Sequence, residues 1–292
     1  MSDPLPATAS WVVVPPFHND TAWRAAIIEA AQAAGRQIHD LDAAPEGPPT
    51  YDPDVIVLTS DASRPLQAGA PAEAIVGLLT ESGIRLDPYE DPEALPQYIR
   101  LWTEQIARLG HLPANRIFRR QDFAGGAVEI LPGFTLTPPA ASSEPPLTPR
   151  LRAVTDAVAL LDPARPRATW APDLFNYNSR VVAGGSRGEL DLTGRPRCLL
   201  AGPYIVLPAG RWRATYRLTF DDRGSRVRIR VDWGGVEQFL SEEFVPGQPG
   251  VFEITQEYDW LEDGPAEIRL ILMEGVFDGR MTFSGAEIER IG

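Results

Sequence analysis

Residues 197–212 read Arg-Cys-Leu-Leu-Ala-Gly-Pro-Tyr-Ile-Val-Leu-Pro-Ala-Gly-Arg-Trp: an apolar run, a Pro-Ala-Gly turn and the beginning of a second run. From Arg211 to Phe220, arginine and threonine alternate with apolar or aromatic side chains, and the alternation returns after Gly224 as far as Trp233. A period of two is typical of strands that have one buried face and one solvated face. We therefore expect this part of the chain to consist of antiparallel strands.

The remainder of the chain continues this pattern. Apolar residues alternate again in 266–272, and turn signals recur at strand-length spacing, at 208–210, 234–235, 246–250, 263–265 and 278–279. Short strands separated by regular turns are typical of two packed antiparallel sheets. The sequence therefore predicts an all-β domain over residues 189–292, an antiparallel β-sandwich with seven or eight strands.

The N-terminal part alternates short apolar runs with helical patterns. The apolar runs predict strands at 11–14, 36–41, 54–58 and 128–131. The helical patterns predict helices at 20–34, 71–82 and 91–109, and a glycine follows each of them. Strands that alternate with helices form parallel sheets. We predict a small parallel α/β domain, Rossmann-like or flavodoxin-like, over residues 1–131.

A proline-rich stretch separates the two predicted domains. It reads Pro-Gly-Phe-Thr-Leu-Thr-Pro-Pro-Ala-Ala-Ser-Ser-Glu-Pro-Pro-Leu-Thr-Pro-Arg over residues 132–150. Prolines at this density favour an extended, semi-rigid chain, so we predict a linker here. A lead-in over residues 151–188 follows, with one short helix as far as Leu161 and irregular chain after it. The predicted fold class is thus α/β followed by all-β.

The charge of the chain excludes several classes of function. The 292 residues carry a net charge of −13, whereas binding to nucleic acid needs a basic surface. All 27 basic residues are arginine, which excludes lysine Schiff bases and the lysine of a phosphate-binding loop. We expect no nucleic-acid partner.

No segment resembles a membrane span or a signal peptide. The apolar runs are far shorter than the roughly 18 residues that a spanning helix needs, and the N-terminus lacks a basic-then-apolar leader. We expect synthesis in the cytoplasm and no membrane insertion. Leaving the cell would then require lysis or a specialised route.

The residues that usually bind metals are few. Cys198 is the single cysteine, so no internal disulfide forms, and its apolar surroundings predict a buried, inert thiol. The three histidines, His18, His39 and His111, lack metal-ligand spacing to one another or to the cysteine. No Gly-x-Ser-x-Gly motif is present. We predict no metal site and no cofactor.

Two sets of residues leave catalysis open. Ligands of parallel α/β domains bind at the carboxyl ends of the strands, which here carry His18, Asn19, Ser60, Ser63 and Arg64. A helix that starts after Asn19 can hold an anion, although helix caps and solvated turns explain the same residues. In the sandwich, Glu257 and Asp259 lie two apart and would face the same side of a strand. Such carboxylates suit either a glycosidase pair or a solvated surface.

The sandwich carries the stronger candidates for binding. If residues 211–220 and 227–233 pair as a hairpin, their arginines form a ladder, which suits either cross-strand ion pairs or an anionic polymer. Aromatic residues outside the core pattern are either packing at the rim or platforms for sugar rings. The predicted carbohydrate-binding residues are Tyr177, Asn178, Trp233, Trp260, Arg213, Arg217, Arg228 and Arg230.

Residues 201–214 resemble a known module. Their Gly-Pro-Tyr-Ile-Val-Leu-Pro-Ala-Gly-Arg-Trp core is similar to that of the carbohydrate-binding-type jelly roll appended to glycosyltransferases and polysaccharide proteins of α-proteobacteria. Trp212 stands where tyrosine is commoner in that module. The resemblance covers residues 189–291 and implies a fold. It carries over no sugar-binding residue.

The order of the segments suggests a role for the whole chain. An α/β domain, a proline-rich linker and such a jelly roll are similar to the head spikes of gene transfer agents, phage-like particles that bind the capsular polysaccharide of recipient cells. This resemblance implies a non-catalytic, adhesive polysaccharide-binding protein whose α/β domain assembles with particle subunits or into a homo-oligomer. A sugar- or nucleoside-acting enzyme that uses the α/β loops, and a purely structural particle component, are the alternatives.

Overall fold

The computed structural model describes residues 9–17, 19–44, 54–80, 95–140, 148–161, 165–178 and 186–292. The chain forms two compact units, Met1–Asp87 with Gln105–Pro145 and Pro88–Glu104 with Pro146–Gly292. The first contains a parallel sheet with helices and the second an antiparallel β-sandwich, which confirms the predicted fold class. Among the helices in these described ranges, none is long and apolar enough to cross a membrane.

The first unit is built around a five-stranded parallel sheet. Its strands are β1 (Ser10–Val13), β2 (Gln37–Asp40), β3 (Val55–Thr59), β4 (Ile75–Leu79) and β5 (Ile117–Arg119). They lie in the order β2-β3-β1-β4-β5. This order differs from the common Rossmann and flavodoxin orders, in which β2 is the neighbour of β1. The helices are α1 (Asp20–Ala33), α2 (Ser63–Gln67) and α3 (Leu95–Leu109), and the boundary between the units passes through α3.

The spacing of the apolar residues in helix α1 explains how it packs on one face of this sheet. Trp23, Ile27 and Ala31 are spaced four apart, so they share one side of the helix, and all three are fully buried. They belong to a core cluster with Val12 and Ile56 of the two central strands. The strands themselves are apolar at successive positions because both faces of the sheet are covered.

The helix predicted at 71–82 is wrong. Residues 72–74 form one turn of 3₁₀ helix and the next five form strand β4, which pairs with β1. A short, continuous apolar run suits a buried strand and a buried helix equally well, so periodicity could not separate them. Gly77 of β4 also allows a close approach, because a Cβ atom there would lie 3.0 Å from the Leu109 side chain.

Part of the predicted linker belongs to the core of the first unit. Strands β6 (Val128–Leu131) and β7 (Phe134–Leu136) pair in an antiparallel hairpin, and both Phe134 and Leu136 are fully buried. Residues 134–136 are therefore structured, although the prolines around them suggested a linker. Residues 141–147 of that predicted segment lie outside the described residues.

The second unit contains the sandwich. After α4 (Pro149–Val158), its strands are β8 (Arg167–Trp170), β9 (Asn176–Tyr177), β10 (Glu189–Asp191), β11 (Arg197–Leu207), β12 (Gly210–Phe220), β13 (Ile229–Gly234), β14 (Phe239–Phe244), β15 (Gly250–Trp260), β16 (Gly264–Leu272) and β17 (Arg280–Arg290). One sheet, here the β12 sheet, has the order β10-β17-β12-β15, with β8 also paired to β17. The other, the β13 sheet, has the order β14-β13-β16-β11-β9.

The alternating pattern of the sequence produces the sandwich core. In β12, Trp212, Ala214, Tyr216, Leu218 and Phe220 point inward and are buried, while the residues between them lie on the outer face. The lead-in, predicted to be irregular after its helix, contributes β8 and β9, one to each sheet. These strands are too short to show a period of two.

Candidate functional site

The four predicted arginines do not share one sheet. Strand β12 pairs with β15 and β17, whereas β13 pairs with β14 and β16. Arg213 and Arg217 therefore lie in the β12 sheet, and Arg228 and Arg230 belong to the chain entering and forming β13 in the other sheet. The predicted ladder is wrong, because the connection after Phe220 leads from one sheet to the other instead of closing a hairpin.

The outer face of the β12 sheet is a lattice of cross-strand ion pairs. The Nε and Nη2 atoms of Arg213 donate to Oε1 of Glu257 at 2.9 and 2.7 Å, and Arg217 Nη2 donates to Oε1 of Glu253 at 2.6 Å. The hydrogen bond from Arg213 lowers the pKa of Glu257. These guanidinium groups are engaged by neighbouring carboxylates, as the cross-strand interpretation expects.

Trp233 and Trp260 belong to the core, so the prediction that they lie outside it is wrong. They are 0% and 6% exposed, and their ring centroids are 5.0 Å apart. Trp170 contacts Trp233 at 5.8 Å and Tyr258 contacts Trp260 at 4.5 Å, which extends the cluster on both sides. Trp233 occupies an inward position of β13, so it offers no ring face to a sugar.

Tyr177 and Asn178 lie at the β9 edge of the β13 sheet. The Tyr177 hydroxyl donates to the Pro172 carbonyl at 2.9 Å, and burial raises the pKa of this tyrosine. The backbone N–H of Asn178 donates to the Leu199 carbonyl at 3.0 Å. The predicted binding residues are thus dispersed: Arg213 and Arg217 in one sheet, Arg230 in the other, two tryptophans between the sheets, and this pair at an edge.

A different constellation appears on the outer face of the β13 sheet. Three rows cross this face, each made of residues that are in register on neighbouring strands. The central row contains Asn176, Ala201, Arg269, Asp232 and Ser241. The rows on either side contain Cys198, Ile271, Arg230 and Glu243, and Pro203, Glu267, Gly234 and Phe239. Acids, arginines and an aromatic ring therefore meet on a face that is turned away from the core.

Two carboxylates on this face are almost completely buried. The side chains of Asp232 and Glu267 are each 2% exposed. Each is paired with an arginine two residues away on its own strand: Arg230 Nε lies 3.0 Å from Asp232 Oδ1, and Arg269 Nη2 lies 2.7 Å from Glu267 Oε2. The hydrogen bond that Arg269 donates to Glu267 raises the pKa of the Arg269 guanidinium. Burying a carboxylate is costly unless a cation pairs with it, and the two arginines supply that pairing here.

Tyr204 completes the pairing of Glu267. Its hydroxyl donates to Glu267 Oε1 at 3.0 Å, and burial together with this carboxylate raises the pKa of the tyrosine to about 12. Its backbone φ of 68° lies in the left-handed region, which is unfavourable for a bulky residue. Strained residues of this kind cluster at functional sites, where the surrounding structure holds them.

An aromatic ring flanks the charged groups. The guanidinium of Arg269 lies 4.0 Å from the ring centroid of Phe239, close enough for a cation–π contact. Gly234, in register between Glu267 and Phe239, must be glycine, since a Cβ atom there would lie 2.3 Å from the Gln238 carbonyl oxygen. We call Arg230, Asp232, Glu267, Arg269, Tyr204 and Phe239 together the acid–arginine surface.

Cys198 lies beside the acid–arginine surface and is half-buried. Its thiol donates to the Leu200 carbonyl at 3.2 Å, and burial raises its pKa, with Arg269 acting in the opposite direction. The sequence predicted a buried thiol, whereas the structure leaves this one half-buried. A raised pKa reduces the thiolate fraction. Within the described ranges no cluster of three or more histidine, cysteine or acidic side chains could hold a metal ion.

Sequence reasoning identified Arg230 but missed the role of Asp232, Glu267, Arg269, Tyr204 and Phe239. One signal was present: Arg230 with Asp232, and Glu267 with Arg269, are opposite charges two apart on solvated strand positions. The missing information was that β13 and β16 are neighbours. Tyr204 was quoted as part of the jelly-roll motif, but was taken to mark only the fold.

The loops of the first unit show turn structure rather than a cluster of catalytic groups. Ser60 N–H donates to Asp42 Oδ2 at 2.7 Å, and Ser63 N–H donates to Asp61 Oδ1 at 2.8 Å. His18 lies outside the described residues. A groove of about 710 Å³ also lies between α1 and residues 133–139, lined by alanines, prolines, threonines and the single acid Glu29. Among the described residues of these two regions, no acid, base and nucleophile come together.

Comparison with known proteins gives similarity in fold only. No protein-family model matches the chain, and no curated protein does. Among solved structures, part of the chain is similar to TmCBM61 in complex with β-1,4-galactotriose, with 14% identity, 35% of this chain and 69% of that chain covered, and a TM-score of 0.28. The C-terminal CBM6 of LamC from Zobellia galactanivorans matches with 17% identity, 42% of this chain and 99% of that chain covered, and a TM-score of 0.29.

One match extends over nearly the whole chain. The Glycosylation Associate Protein (Gap123) complex from Streptococcus agalactiae has 12% identity, with 97% of this chain and 50% of that chain covered, at a TM-score of 0.30. Because all three TM-scores are 0.30 or lower, no residue role is taken from these proteins.

Proposed function

We propose that this chain is a non-catalytic polysaccharide-binding protein and that the acid–arginine surface is its binding site. The observation that carries the proposal is the Arg269 guanidinium, which lies 4.0 Å from the ring centroid of Phe239, with both residues partly exposed on the outer face of the β13 sheet. The buried carboxylates Asp232 and Glu267 hold Arg230 and Arg269 in one orientation, and a binding site needs such fixed donors.

The chemistry of a sugar matches the groups on this surface. Sugar hydroxyls accept hydrogen bonds, so they suit the partly exposed guanidinium donors of Arg230 and Arg269. The C–H groups of a sugar ring pack on aromatic faces, and Tyr204 and Phe239 are the aromatic residues here. Both are partly exposed, unlike Trp233 and Trp260. Because several sugar units can lie along a sheet face, a polymer suits this site better than a single small ligand does.

The absence of catalysis is part of the proposal. Each buried carboxylate is engaged by a guanidinium, and Glu267 also by the Tyr204 hydroxyl. A glycosidase needs one carboxyl group that keeps its proton near neutral pH, and a neighbouring positive charge opposes this. We therefore expect binding without cleavage of the glycan.

A narrower hypothesis rests on the sequence resemblance alone. In it, the ligand is a bacterial capsular polysaccharide and the chain is a head spike of a gene transfer particle, released from the cell with that particle. The first unit would then assemble with particle subunits or into a homo-oligomer. Light scattering of the purified chain, and electron microscopy of particles from cells with and without its gene, test these points.

Binding of the full chain to an array of bacterial and plant polysaccharides tests the proposed function. We expect retention on at least one polymer, loss of most of that affinity in Phe239→Ala, and no new reducing ends after prolonged incubation. Val251→Ala serves as the matched control, because Val251 is a 63% exposed apolar residue in the β12 sheet. Equal losses in both variants, or release of reducing ends by the wild-type protein, would contradict the proposal.

A further inference from the structure

We infer that the acid–arginine surface selects uncharged glycans and that Asp232 is the residue that rejects acidic ones. This inference rests on the proposed function and names the class of its ligand. It opposes the expectation from the sequence, in which an arginine ladder would attract an anionic polymer.

The arginines of this surface are not free to bind an anion. Arg230 is paired with Asp232 and Arg269 with Glu267, so the four charges sum to zero. An acidic sugar would have to displace a buried carboxylate from its arginine, and that carboxylate would then be left unpaired in a poorly solvated place.

Charges on neighbouring strands make the surface more acidic. Glu243 of β14 is in register with Arg230 on the same face, and β11 and β9 contribute only Cys198, Ala201, Pro203 and Asn176 to the three rows. The chain as a whole carries a net charge of −13. The charges of this surface and the net charge of the chain therefore both repel a polyanion. Physiological salt screens this repulsion beyond about 8 Å.

The pairing of Arg230 with Asp232 leaves only the arginine accessible to a ligand. Asp232 Oδ1 lies 3.0 Å from Arg230 Nε, and Arg230 Nη2 donates to Asp232 Oδ2 at 3.3 Å. The Asp232 side chain is 2% exposed and that of Arg230 is 34% exposed, so a ligand meets the guanidinium and not the carboxylate. A sugar hydroxyl can accept a hydrogen bond from this guanidinium while Asp232 stays in place. The carboxylate of an acidic sugar would instead compete with Asp232 for the same positive charge.

Matched pairs of polysaccharides test this inference on the full chain. Each pair consists of a uronic-acid polymer and the same polymer after chemical reduction of its carboxyl groups, so that the two differ in charge and not in backbone. We expect the wild-type protein to bind the reduced member about tenfold more tightly than the acidic member at low salt, because like charges repel strongly at short range. In Asp232→Asn this ratio should fall to about one half to one third of its wild-type value, through gained affinity for the acidic member.

Glu253→Gln is the matched control, because it removes an equally negative charge from the outer face of the β12 sheet. It should leave the ratio unchanged. Equal or tighter binding of the acidic members by the wild-type protein would overturn the inference but leave the proposed function standing. Failure to bind any neutral or acidic polymer would overturn both. The comparison of acidic and reduced polymers on the wild-type protein tests the inference even if Asp232→Asn does not fold.

Discussion

The hydroxyl of Tyr204 donates a 3.0 Å hydrogen bond to Glu267, a carboxylate whose side chain is 2% exposed on the outer face of a sheet. This bond connects the jelly-roll motif of β11 with the acid of β16, and it holds both groups in place beside Arg269. The tyrosine reaches this position through a left-handed backbone with a φ of 68°. In the proposed site, Tyr204 therefore serves both binding and stability.

Removing this hydroxyl, and comparing the result with a control tyrosine, should distinguish its contribution to binding from its contribution to stability. We expect Tyr204→Phe to weaken polysaccharide binding several-fold and to reduce the free energy of unfolding by about 1 kcal/mol, the usual net contribution of one hydrogen bond. Tyr177→Phe is the matched control, since its hydroxyl also donates one bond, to the Pro172 carbonyl at 2.9 Å. It should lose similar stability and no affinity. Affinity measurements and urea unfolding on both variants check this, and an equal loss of affinity would place the site closer to Tyr177.

Tyr204 also predicts a dependence of stability on alkaline pH. Its pKa is raised from 10.0 to about 12 in the folded protein, so the unfolded chain loses this proton first as the pH rises. The contribution of Tyr204 is complete below pH 10 and is lost as the pH rises towards about 12. We expect wild-type protein to lose more unfolding free energy than Tyr204→Phe between pH 9 and pH 11. Identical losses in urea titrations would show that the phenol is not held as described.

An arginine paired with a buried acid should contribute more to stability than an arginine paired with an exposed acid. Arg269→Ala leaves the buried Glu267 without its cation, and we expect a loss of about 2 kcal/mol, below the usual range for fully buried pairs because Arg269 is 30% exposed. Arg217→Ala breaks a pair whose members are 62% and 56% exposed, and should cost less than about 1 kcal/mol. Chemical unfolding of both variants measures the difference. An equal cost would mean that Glu267 is better solvated than its burial indicates.

The buried tryptophans allow a test of the core. Trp212 Nε1 donates to the Pro208 carbonyl at 2.9 Å, whereas the buried Trp233 Nε1 finds no acceptor among the residues that the structure describes. We expect Trp212→Phe to destabilise the protein by about 1 kcal/mol more than Trp233→Phe, because only the first change removes a hydrogen bond. Thermal and urea unfolding of the two variants give this difference. A larger loss for Trp233→Phe would show that its indole has an acceptor after all.

Local patterns in the sequence predicted the elements of the sandwich better than their partners. The alternation in 211–220 specifies an outer and an inner face for β12, and the structure confirms both. It does not specify which strand lies alongside, because a turn after Phe220 is compatible with a hairpin and with a crossing to the other sheet. The arginine ladder depended on that choice, and the pairing of β12 with β15 and β17 removed it.

The candidate site was beyond prediction for the same physical reason. Asp232 and Glu267 become neighbours only because β13 pairs with β16, and β14 and β15 separate these strands along the chain. Burial of an acid is likewise a property of the tertiary structure, since both acids occupy strand positions that the pattern marks as solvated. In contrast, Trp233 follows the inward alternation of β13, and the pattern alone would have placed it in the core.

Hydrogen exchange of the full chain, with and without the polysaccharide that it binds most tightly on the array, tests the central claim most directly. Peptides from β11, β13 and β16 carry the acid–arginine surface, and we expect their amides to exchange more slowly in the complex. Peptides from β12 and β15 carry the ion-pair lattice of the other sheet and should exchange at unchanged rates. Protection confined to β12 and β15, or to the first unit, would contradict the placement of the binding site on the β13 sheet.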